Sequence, residues 1–72
     1  MKTSILLKDL KKDDIFYERA GHKEYQLRVV TEPITTDTAT SLVAVNTKTQ
    51  EKIDYFQDTK YKHYGPDIYK QL

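Results

Sequence analysis

The chain has 72 residues, 12 of them lysine or arginine and 11 aspartate or glutamate, for a net charge of +1. That length supports one small domain, which buries only about 60% of its unfolded surface. Cysteine is absent and histidine occurs twice, so disulfides, thiolate sites and a four-ligand structural zinc are excluded. Charges of both signs are mixed along the chain, which argues against a duplex-DNA binder with its one-sided basic excess.

Stability must then come from close packing of aromatics or from a partner, and a homo-oligomer is one expectation. No apolar run approaches the roughly 18 residues that span a bilayer. Ile5-Leu6-Leu7 is too short for a signal-peptide core. The expectation is a soluble chain of the cytosol, with no membrane partner. Residues 1–14 carry four lysines against three aspartates and residues 58–72 three against two. Each end therefore nets +1, too little to steer a ligand far in physiological salt.

In chain order, Ile5–Leu7 predicts a short first strand, with a helix over residues 4–14 as the competing reading, since Leu6, Leu7 and Leu10 fall at helical spacing. Asp13-Asp14 closes the entry segment, and aspartate tolerates the left-handed backbone of a tight turn. Ile15–Ala20 and Glu24–Thr31 predict a hairpin closed by Gly21-His22-Lys23, where Gly21 supplies positive φ. Tyr25, Leu27 and Val29 alternate with Gln26 and Arg28, so one row faces a core and the other faces water. Pro33 ends that strand by removing a ladder donor, and residues 32–38 read as a threonine-rich loop.

Ala39–Asn46 carries apolar residues on both faces and predicts a central or doubly covered strand. Residues 46–50 turn the chain into Glu51–Gln57, where Ile53 and Tyr55 share one face and Lys52, Asp54 and Phe56 the other. Gly65-Pro66 breaks the polar, aromatic tail. Pro66–Lys70 predicts a last helical turn, with Ile68 or Tyr69 plugging an end of the fold.

Leu10-Lys11-Lys12-Asp13-Asp14-Ile15-Phe16 resembles the Leu-x-x-Gly-Asp-apolar entry of many SH3-like barrels, and Asn46–Ile53 resembles their Asn-x-x-Thr-Gly-Glu hairpin. The Tyr64-Gly65-Pro66 tail is similar to that of small proteins encoded by bacteriophages. Asp13 and Gln50 stand where that pattern has glycine, so each is expected at positive φ. The fold expected is all-β: a small SH3-like or OB-like barrel of four to five antiparallel strands with a short C-terminal helical turn.

Catalytic constellations are not recognisable. Adjacent Asp13 and Asp14 read as turn formers, because acid–base work needs carboxylates that converge on one atom. With two glycines there is no phosphate-binding loop, and no nucleophile–His–Asp or zinc-protease spacing occurs. His22 sits at a hairpin tip. The expectation is a non-enzyme without cofactor or metal.

Tyrosine is the one excess, at six residues. Tyrosines fill small barrels while their hydroxyls reach water, and exposed clusters of them mark interfaces. Tyr61, Lys62, His63 and Tyr64 combine rings with positive charge, and Gln26 and Arg28 lie on the outward row of the hairpin. The first expectation is a binding module, phage-encoded and modulatory, that docks on a host protein through exposed tyrosines and a sheet edge. The second is a binder or sequesterer of nucleotides or single-stranded nucleic acid. The third is a small structural protein that works as an oligomer.

Overall fold

In the computed structural model, residues 2–58 and 67–71 are described. Seven strands run in chain order: β1 (Lys2–Ser4), β2 (Ile15–Ala20), β3 (Lys23–Val29), β4 (Ile34–Thr35), β5 (Ala39–Asn46), β6 (Lys52–Asp58) and β7 (Ile68–Gln71). All pairings are antiparallel. The order across the sheet is β1-β7-β2-β3-β5-β4, with β6 on the other side of β5. Curling turns this sheet into a half-barrel, so the fold is all-β, as expected. Among the described residues no helix is long and apolar enough to cross a membrane.

The concave side holds the core. Leu27 and Val29 from β3 are fully buried, as are Phe16 from β2 and Ala44 from β5. Tyr55 meets Phe16 edge to face, with ring centroids 5.6 Å apart at 78°, a favoured geometry for two ring quadrupoles. Leu7 and Leu10 from the entry segment join the same cluster.

Among the described residues three adopt left-handed backbone: Asp13 (φ 73°), Gln50 (φ 64°) and Gly21 (φ 65°). Each closes a turn that fixes a register. The Asp13 N–H donates to the Val29 carbonyl and the Val29 N–H to the Asp14 carbonyl, which locks the entry segment to the end of β3. At the second hairpin, Asn46 Oδ1 accepts from the N–H groups of Lys48 and Thr49, and the Gln50 N–H donates to the Asn46 carbonyl. The Asn side chain thus does what a backbone carbonyl does in a tighter turn.

Several boundaries differ from those expected. The first strand lies at Lys2–Ser4 rather than Ile5–Leu7, and Leu7–Asp9 is a single 3-10 turn. The Asp9 carboxylate accepts the Leu6 N–H, and Gln57 Oε1 accepts the Leu7 N–H at 2.9 Å, so these amides have partners without a strand. The longest hairpin arm ends at Val29, not Thr31, because the N–H groups of Val30 and Thr31 both turn to the Val43 carbonyl. Ile34–Thr35 within the expected loop pairs with β5. The expected helical turn at the C-terminus is a strand instead: Ile68–Gln71 inserts between β1 and β2. Ile68 points into the core and Tyr69 to the convex side. Strand pairing satisfies main-chain groups on both flanks, which one helical turn does not.

Candidate functional site

The convex side of the sheet divides into two faces. The first lies on β1, β7, β2 and β3. Tyr17 and Tyr69 are cross-strand partners whose rings stack 5.4 Å apart at 16°. Lys2 Nζ and Arg19 Cζ both sit over the Tyr69 ring, 5.2 and 5.3 Å from its centroid. These cations are themselves paired, Lys2 with Glu24 at 2.8 Å and Arg19 with Asp67 at 3.6 Å. The hydrogen bond that Lys2 donates to Glu24 raises the Lys2 ammonium above its ordinary pKa, and the same bond holds the Glu24 carboxyl below the usual range. Burial first, and a hydrogen bond to Glu24 second, push the Tyr69 phenol up.

Gln26 and Arg28 lie on this face, opposite Tyr17 and Ile15 respectively. The Gln26 amide is committed at both ends. Its nitrogen donates to the Tyr17 hydroxyl at 3.1 Å, and its oxygen accepts from the Thr47 hydroxyl at 2.9 Å. Arg28 is exposed and makes no ion pair among the described residues. An open hollow of about 450 Å³ lies beside Gln26, lined also by Glu24, Tyr25, Asn46 and the turn residues Thr47 to Thr49.

The second face lies on β4, β5 and β6. Ile34 stands opposite Ser41, and Ser41 opposite Phe56, so small Ser41 separates two large apolar side chains about 10 Å apart. Ile34 is 64% exposed and Phe56 62%. An apolar hollow of about 380 Å³ opens beside Ile34, with Thr31, Val43 and Asp54 in its lining. Lys52 and Asp54 are exposed on the same face, and neither makes an ion pair or side-chain hydrogen bond among the described residues.

β6 also borders an open flank. Among the described residues it pairs only with β5. The Asn46 N–H donates to the Glu51 carbonyl. By the alternation of an antiparallel ladder, Ile53, Tyr55 and Gln57 then turn their main-chain groups to β5, and Lys52, Asp54 and Phe56 turn theirs outward.

Of the tyrosines weighed as anchors, Tyr55 and Tyr69 are buried and Tyr17 and Tyr25 half-buried. The Tyr55 hydroxyl donates to Glu18 at 2.7 Å, and burial together with that bond pushes its phenol far up. These four rings belong to the fold. Tyr61, Lys62, His63 and Tyr64 lie outside the described residues. His22 is exposed at the tip of the first hairpin. Asp14 accepts the Lys11 N–H and pairs with Lys70 at 3.2 Å. Burial alone raises the Asp14 carboxyl, but those two donors outweigh it and hold it below its ordinary value. Among the described residues no three His, Asp or Glu side chains group as metal ligands.

Ile34 and Phe56 were not picked out as anchors from the sequence. The signal was there for Phe56, a large ring between charged residues on the row that faces water. Ile34 was the one apolar residue in a polar stretch. Comparison with known proteins finds no matching family model, no matching curated protein and no matching solved structure.

Proposed function

We propose that this chain is a non-catalytic binding module that docks on a partner protein through the β6 edge. The carrying observation is the coincidence of three features on the face of β4, β5 and β6 and at its β6 edge. Outward main-chain groups of Lys52, Asp54 and Phe56 offer strand addition, which supplies affinity. Exposed Ile34 and Phe56 offer apolar anchors of the kind that concentrate binding energy. Lys52 and Asp54, without partners among the described residues, offer a charge pattern that selects among strands. The likeness of the Tyr64-Gly65-Pro66 tail to small phage-encoded proteins supports a modulatory role on a host protein.

Nucleotide or single-strand binding has weaker support. On the face that carries Gln26 and Arg28, Lys2 and Arg19 already serve carboxylates of the same chain, and the Tyr69 ring is covered. Among the described residues of that face, Arg28 alone remains for a phosphate.

Partner capture from lysate by the wild type and by Ile34→Asp and Phe56→Asp tests the docking reading, with capture repeated at rising salt. Both variants are expected to lose the partner, at least tenfold in yield, and the wild type to keep it as salt rises. A partner retained by both variants removes the β6 flank from the site. A bound species shed steeply with salt indicates nucleic acid instead.

A further inference from the structure

β6 reads Lys52-Ile53-Asp54-Tyr55-Phe56-Gln57-Asp58 and pairs with β5 in one unbroken register from Val45↔Lys52 to Ala39↔Asp58. Sheet edges are commonly blunted by proline, by a bulge or by brevity, and this seven-residue strand has none of these. Its charges also read in a self-complementary way when the strand is reversed. We propose that in the free protein a second copy of this chain occupies the edge, β6 against β6, antiparallel about a two-fold axis at Tyr55. The inference rests on the docking reading of the same flank and names the occupant.

Three central registers exist for such a pair, and charge chooses between them. Centred on Asp54, the two Asp54 carboxylates face each other. Centred on Phe56, each Asp54 faces Asp58 of the copy. Like charges directly opposite are destabilising, so both registers are disfavoured. Centred on Tyr55, Asp54 faces Phe56 of the copy, Lys52 faces Asp58, and no like charges stand directly opposite, the two Asp54 carboxylates being diagonal neighbours. Asp58 already interacts within its own chain, so the choice rests on the repulsion avoided at Asp54. In this register the facing residues on the outer row are also those whose main-chain groups turn outward, as a bonded antiparallel pair requires.

A second gain follows from the same geometry. The two Phe56 rings become diagonal cross-strand neighbours, about 7–8 Å apart at their Cα atoms and within reach of each other. Each ring, 62% exposed in the single chain, is then covered. Because the contact is isologous, it closes at two copies and does not propagate into a fibre. A dimer so formed occupies the flank that a foreign strand would use, so docking and self-pairing compete.

Light scattering of the full chain from micromolar to near-millimolar concentration tests this, with Phe56→Glu and Phe56→Lys beside the wild type. Circular dichroism checks that each variant keeps its strands, which an exposed position allows. The wild type is expected to dimerise as concentration rises. Phe56→Glu sets a carboxylate opposite Asp54 of the copy at two symmetric places, and Phe56→Lys sets an ammonium there. The Lys variant is therefore expected to dimerise about tenfold more tightly than the Glu variant, although both lack the ring. A wild type that stays monomeric throughout overturns the inference, as does a dimer that both variants weaken equally or leave intact. Partner capture separates this from the docking reading: a monomeric wild type that still loses its partner on Phe56→Glu keeps the docking site and removes the second copy.

Discussion

On the face of β1, β7, β2 and β3, the rings and every charge but that of Arg28 are used up within the chain, whereas on the face of β4, β5 and β6 they are left over among the described residues. Tyr17 stacks on Tyr69, and Lys2 and Arg19 cap that ring while pairing with Glu24 and Asp67. On the other face Phe56 and Ile34 stand open, and Lys52 and Asp54 find nothing to pair with among the described residues. Both faces carry apolar surface and both signs of charge, so composition does not separate them. What separates them is neighbours. β7 enters between β1 and β2 and brings Tyr69 under two cations, while β6 has a strand on one flank only among the described residues. The first face is structural stuffing on the outside of a thin sheet; the second is where surface remains for another molecule.

Substitutions on the two faces should therefore have opposite signatures. The largest effect is expected for Tyr69→Ala, which removes a ring that is 1% exposed together with its stack and both cation contacts. A cost of about 3–5 kcal/mol is expected by analogy with large-to-small changes at buried aromatics, read by urea denaturation, with partner binding unchanged in whatever fraction stays folded. A cost below about 1 kcal/mol would show that this face is not built into the fold.

A smaller effect is expected from the ion pair on the same face. Glu24 has a lowered pKa in the folded chain because of its hydrogen bond from Lys2. A depressed carboxyl adds stability that is present above its unfolded value, about 4.3, and is lost as pH falls through the folded value. Lys2→Met should move the Glu24 titration upward, seen in the side-chain carboxyl shift by NMR, and should make the acid limb of the stability curve shallower. An unmoved Glu24 titration would mean that the pair does not persist in solution, as is common for exposed pairs.

The smallest effect on stability should come from the other face. Phe56→Ser removes a ring that is 62% exposed, and the midpoint of urea unfolding should shift by no more than about 0.5 kcal/mol in free-energy terms. The same substitution is expected to abolish docking. A large loss of stability would place Phe56 in the core and erase the contrast between the two faces.

Much of this was legible in advance where pattern is long. Ile15–Ala20 and Ala39–Asn46 were marked at both ends, since six to eight residues of alternation or of two-sided apolarity leave little choice. Left-handed backbone at Asp13, Gly21 and Gln50 was legible as well, because turn chemistry is local. The short strands β1, β4 and β7 were not, since two to four residues carry no period to read. For the same reason the sequence predicts a helical turn where the C-terminal strand lies, and Ile68-Tyr69 shows alternation only once its neighbours are known. The candidate site divides in the same way. Gln26 and Arg28 were placed on the outward row correctly, yet nothing local marked Gln26 as already hydrogen-bonded at both ends, or Lys2 and Arg19 as already paired.

By itself, then, the sequence determined an all-strand chain, the face on which Tyr25, Leu27 and Val29 meet the core, and the places where the backbone turns. Those properties follow from side-chain period and residue-level backbone preference, which act over a few residues. Only the tertiary structure decided which rings are buried, which charges are satisfied and which strand keeps an open flank. These depend on β1 meeting β7 and β7 meeting β2 across about fifty to seventy residues of chain, and such long-range pairings leave no mark on the residues between them.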